Sequence, residues 1–233
     1  MVAICKSRSL YSLVAMFGLA IAFAFLTAQA SAVKDQKTTS VDLFEAVNDG
    51  KIEVKLVVKN GEKARIITRN KTEQPLTIEI PEAFAAVPVL AQNQGGGGGG
   101  GALNFNVPPE KVVKRDVGFV CLEHGKPNPR STMQYEIKPI EKITTDERVV
   151  EVIRQFGAGH LKHASAQAAV WHLANHMSWR ELASKQRRNV YGKSNPYFST
   201  TSLQQAARIV SWATRAVEQR QEDSRANNYS LAK

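Results

Sequence analysis

The period of the hydrophobic pattern changes once along this chain, near Thr144, and that change limits the folds open to it. Between residues 51 and 143 apolar and polar residues alternate in short runs. KIEVKLVVKNGEKARIITRN, PLTIEI, ALNFNV and VVKRDVGFVCLEH are bounded by Pro, Gly and Asn, as half-buried strands are. Asn60-Gly61 lies between two such runs and predicts a hairpin turn. From Thr144 onward apolar residues recur every three to four positions, the spacing of helices that bury one face. The expected class is therefore α+β: a small antiparallel β-sandwich or barrel over 51–143, followed by about four helices over 144–222.

Helix-start chemistry places those helices. Thr144 and Glu147 form a capping-box pair, Ser165 precedes AQAAVWHLANHM, Ser178 and Glu181 form a second box, and a fourth apolar stripe runs from about Leu203 to Gln221. The tail 223–233 has no pattern and is expected to be disordered. Seven consecutive glycines, Gly95 to Gly101, interrupt the strand-like region. Glycine loses the most backbone entropy on ordering and has no side chain to pack, so 95–101 is expected to be a flexible loop. The tract lacks the Lys-[Ser/Thr] and helix start of a phosphate-cradling loop.

Lys6 and Arg8 precede an uncharged apolar run from Leu10 to Ala28, and AQASA follows with small residues at cleavage spacing. Residues 1–32 thus read as a signal peptide, and 33–50 as a linker ending in a short helix. The alternative is an uncleaved anchor, which would be the chain's one contact with a membrane. The formal charge of +10 becomes +8 when Lys6 and Arg8 are removed, since 1–32 holds no acidic residue. A basic exported protein is expected to meet a surface protein or polysaccharide rather than nucleic acid. The location expected is periplasm, cell surface or external medium.

Four of the five histidines cluster between His160 and His176. His172 and His176, four apart on one predicted helix, could present two imidazoles on one face, and His124 beside Cys121 could add to them as a metal site. The zincin pattern needs Glu after its first histidine, where Leu173 stands, so hydrolytic zinc chemistry is not expected. Trp171, Trp179, Trp212 and Phe156 are expected in the helical core. Lys185 to Phe198, which interleaves basic and aromatic residues, is expected to be a solvated helix end and loop.

Export would leave Cys121 as the chain's single cysteine, with no intrachain disulfide partner. Its outlets are an inert buried residue, an intermolecular disulfide, a nucleophile, or a covalent bond to something other than sulfur. The stretch AQAAVWHL, Ala166 to Leu173, resembles the Thr-Gln-x-Ala-[Ile/Leu/Val]-Trp signature of the bacterial surface thioester domains, with Ala166 in the threonine position. The resemblance covers about residues 117–175. It implies that Cys121, on a strand, bonds to Gln167, at the start of a helix, in a thioester that amines on a target surface can attack. The sequence as a whole carries no complete catalytic set, and no cofactor is expected. The expected function is non-enzymatic: an exported structural or binding module of the cell envelope, with thioester-type covalent adhesion as one alternative and a His/Cys metal site as another.

Overall fold

The computed structural model describes residues 39–89, 96–99, 104–188 and 192–231, all within one compact unit spanning Thr38–Lys233. The expected signal peptide lies outside the described residues. Strand β1 (Thr39–Asp42) leads directly into helix α1 (Leu43–Asn48), and the Asp42 carboxylate caps that helix by accepting from the Phe44 and Glu45 N–H groups.

The alternating region folds as a closed six-stranded antiparallel barrel. Its strands are β2 (Ile52–Val58), β3 (Lys63–Asn70), β5 (Phe84–Pro88), β6 (Gly96–Gly99), β8 (Val112–Cys121) and β9 (Tyr135–Pro139), in the order β2-β3-β8-β6-β5-β9. β4 (Leu76–Glu79) lies between β1, which it pairs in parallel, and antiparallel β7 (Phe105–Val107) in a separate three-stranded sheet. Asn60 closes the β2–β3 hairpin, its side-chain oxygen accepting from the Glu62 and Lys63 N–H groups. Period-2 burial is plain in β3, where Ala64, Ile66, Thr68 and Asn70 point inward.

The glycine tract departs from expectation. Gly96 to Gly99 form a barrel strand, with Gly98 opposite both Phe84 and Phe119. The missing side chains are what make this strand fit. A methyl on Gly96 would strike the Phe119 ring at 1.9 Å, one on Gly98 the Phe84 ring at 2.6 Å, and one on Gly99 the Gly157 backbone at 2.4 Å. The rings and a helix occupy the space that strand side chains would fill, and their burial offsets the entropy lost by the glycines.

Four helices follow: α2 (Glu147–Gly157), α3 (His163–Ala174), α4 (Trp179–Ser184) and α5 (Thr200–Leu231). α2 packs on β6, α3 on β8, and both on α5, so one continuous core joins barrel and helices. The Ser178–Glu181 capping box forms as expected. The cap of α2 is Asp146 and not Thr144, whose hydroxyl accepts from the Asp146 N–H one step earlier. α3 starts at His163, ahead of Ser165, so Ser165 is buried and donates to Gln205 across to α5.

Residues 223–231 of the tail are helical instead of disordered, since α5 continues to Leu231. Its buried stripe is Ser202, Ala206, Ala213 and Val217, and residues 218–230 are exposed. Trp212 falls beside that stripe and is 37 % exposed, so it lies outside the core expected for it. The segment from Lys185 is also more ordered than a loop, pairing β10 (Gln186–Arg188) with β11 (Ser194–Pro196).

Candidate functional site

The site lies where β8 outruns its neighbour. The first part of β8 pairs with β3 as far as Lys63, opposite Gly118, and the Phe119 N–H donates to Glu62 O at 2.9 Å. Two residues later the Cys121 N–H and C=O face the same side, where the β2–β3 hairpin has already turned away. The Gln167 side chain takes the vacant place. Cys121 N–H donates to Gln167 Oε1 at 2.8 Å, and Gln167 Nε2 donates to Cys121 O at 2.8 Å. One carboxamide thus stands in for a peptide group of the absent strand, and Gln167 is 1 % exposed.

A second amide, at the residue that caps the C-terminus of α3, repeats the pattern eight residues on. Asn175 Nδ2 donates to Leu122 O at 2.8 Å, and the His124 N–H donates to Asn175 Oδ1. Gln167 within α3 and Asn175 at its C-cap, eight residues apart, both hold the chain as it leaves β8. Gln167 sits one turn deeper than the sequence suggests, because α3 starts at His163. Its oxygen is therefore met by the N–H of Cys121 itself and not by unpaired amides of a helix N-terminus.

Cys121 is buried, and its Sγ lies 3.7 Å from where a Cβ on Gly61 would stand, beneath the β2–β3 turn. Burial pushes the thiol up to about 12, so it is protonated throughout the physiological range. His163 holds the turn in place, its Nε2 lying 3.1 Å from Gly61 O.

Above this floor opens a cavity of about 570 Å³ between the β2–β3 turn, the loop after β8, α3 and β10. Trp171 lies at its wall, 5 % exposed, against the rings of His124, Tyr197 and Phe198. The Lys185 ammonium is 5.3 Å from the Trp171 ring centre and 2.7 Å from His124 Nε2. Desolvation and the neighbouring Lys185 both lower the His124 pKa, so the neutral imidazole accepts from Lys185. Desolvation likewise lowers the Lys185 pKa. Among the described residues the buried Trp171 indole N–H has no acceptor.

The three candidate metal ligands do not come together. His124 faces Lys185 and Trp171, while His172 places Nδ1 2.7 Å from Met177 O and stacks on Trp179 with ring centres 4.2 Å apart. His176, exposed, has φ +55 just beyond α3. The helical i,i+4 spacing is lost because α3 ends at Ala174, before it can align His176 with His172. Among the described residues no three His, Cys, Asp or Glu side chains form a group able to hold a metal ion.

Sequence reasoning missed Asn175, Lys185 and Tyr197 as parts of this site, since nothing local to them points to a strand end far away in the chain. No family model, curated protein or solved structure matches the chain.

Proposed function

We propose that this chain is an exported, non-enzymatic binding module of the cell envelope whose reactive centre is an internal thioester between Cys121 and Gln167. The observation that carries the reading is the seating of the buried Gln167 carboxamide on the backbone of Cys121, 46 residues away, by hydrogen bonds at both ends. The four helices, read as a bundle braced on the barrel, hold the acyl donor against the strand that holds the thiol.

The chemistry follows from that seating. Cys121 Sγ attacks Gln167 Cδ, the thiol proton passes to the departing nitrogen, and ammonia leaves as the S–C bond replaces the C–N bond. Charge developing on Oε1 during attack is met by the Cys121 N–H, which already points at it. Burial then shields the acyl group from water. An amine of a target later attacks the same carbon, forms an amide and returns the thiol, so each molecule reacts once.

Intact mass of the purified chain tests this directly. The expected result is a deficit of about 17 Da, abolished in Cys121→Ala and in Gln167→Met, and a covalent adduct on addition of methylamine. A full mass, with a thiol that alkylates completely on unfolding, overturns the thioester. It supports instead a second reading, suggested by the protonated thiol and the amide bonded at both its oxygen and its nitrogen: a structural clamp in a binding module without covalent chemistry.

A further inference from the structure

The cavity over Cys121 carries a charge pattern that the thioester does not use. Lys126, Lys185 and Arg187 line it, together with one carboxylate, Glu62. Glu62 lies 3.9 Å from His163 Nδ1. Among the described residues no carboxylate forms an ion pair with Lys126, Lys185 or Arg187. Lys185 and Arg187 are held over the Tyr197 ring at 5.5 and 6.0 Å, which orders their side chains without neutralising them. Cations fixed around a concave site attract anions, and the low-dielectric walls strengthen the field.

The backbone beside the cavity adds a second requirement. Gln186 and Arg187 of β10 line it, and β10 and β11 pair only with each other among the described residues. Each therefore has, among the described residues, an outer edge that no third strand pairs, the place an added strand would take. A peptide satisfies both the charge and the edge, whereas a carboxylated glycan satisfies only the charge.

We infer that this cavity docks an extended, carboxylate-rich peptide segment of the target, seated on Lys126, Lys185 and Arg187 along the β10 edge. In the thioester reading, on which the covalent step alone rests, docking delivers a primary amine of that segment to Gln167. The surrounding cations disfavour the ammonium form of the arriving group and so raise its nucleophilic fraction. Carboxylates of the segment supply the attraction that the amine by itself would lack.

Reversible docking is measured in the full chain carrying Cys121→Ala, which cannot form the thioester, by fluorescence anisotropy of a dye-labelled peptide of alternating Glu and Ser with one Lys. Binding is expected to be about tenfold or more tighter than to the same peptide with Gln for Glu. It is also expected to weaken between about 50 and about 300 mM salt. Lys185→Glu and Arg187→Glu should each weaken it by about tenfold. Lys126→Glu, on an exposed loop after β8, should do the same without touching the core. Equal binding of the Gln peptide overturns the inference, as does an equal loss in Lys111→Glu, an exposed change outside the cavity. Binding of an oligogalacturonate in place of the peptide also overturns it and marks a glycan site. A missing mass deficit in the unmutated chain removes the thioester and leaves this docking result standing.

Discussion

Gly99 and Gly157 meet backbone to backbone: a methyl on Gly99 would stand 2.4 Å from the Gly157 Cα, and one on Gly157 2.3 Å from the Gly99 Cα. This contact is what lets α2 lie directly on a barrel strand that has no side chains. Gly99→Ala and Gly157→Ala are each expected to lower stability by about 1–3 kcal/mol, since backbone must move to admit the methyl. Gly97→Ala should cost less, because its methyl meets the far end of the Ile153 side chain, which can rotate. Denaturant midpoints of the three variants give the order.

Replacing Gln167 with Met keeps the volume but leaves the Cys121 N–H and C=O without their partners in a buried place. A loss of about 1–3 kcal/mol per unpaired group is expected. Urea unfolding in a Cys121→Ala background, where no thioester contributes, isolates this hydrogen-bond effect. A stability equal to that background would show that the amide does not hold the strand end.

The free thiol of the Gln167→Met chain should be slow to alkylate. With burial pushing Cys121 to about 12, the thiolate fraction near pH 8 is about one in ten thousand, against about one in four for an ordinary cysteine. The iodoacetamide rate should rise about tenfold per pH unit from 7 to 10 without a plateau. The same shift bears on stability. The folded state keeps its thiol proton where the unfolded state has lost it, so the contribution is complete below about pH 8.5 and is lost as pH climbs toward about 12. A plateau in rate near pH 9 would show an unburied thiol.

Glu151 of α2 is 2 % exposed and accepts from Arg154, from Arg220 of α5 at 2.8 Å and from Gln155. Burial acts to raise its pKa, but the Arg220 hydrogen bond and the Arg154 charge outweigh it, and the net direction is downward. A lowered folded pKa means stability that is present above the unfolded value of about 4.3 and is lost as pH falls below it. Glu151→Gln should flatten that part of the acid-unfolding curve. Arg220→Met should cost about 1.5–3 kcal/mol at neutral pH, seen as a lower melting temperature.

Much of the fold was legible because side-chain periodicity is a local record of which face is buried. The alternation of Ile52 to Asn70, the Asn60-Gly61 turn and the Ser178–Glu181 box all predicted elements that form. Gly96 to Gly99 could not be read this way, because glycine has no side chain to alternate. The site was legible in part: the resemblance paired Cys121 with Gln167, and the structure seats Gln167 on the Cys121 backbone, while helical spacing grouped His172 with His176, and His124 was added to them, three residues that the fold disperses.

The sequence by itself determined the change from strand to helix near Thr144 and the hairpin turn, and its resemblance raised the expectation that Cys121 and Gln167 meet. Only the tertiary structure decided that a glycine strand closes the barrel, that α3 begins at His163, and that the Gln167 amide replaces a missing strand at the end of β8. Those outcomes depend on register and on what packs on each face, Phe119 on one side of β6, Ile153 and Gly157 on the other, and α3 against β8. Such contacts join residues tens of positions apart, and no local period records them.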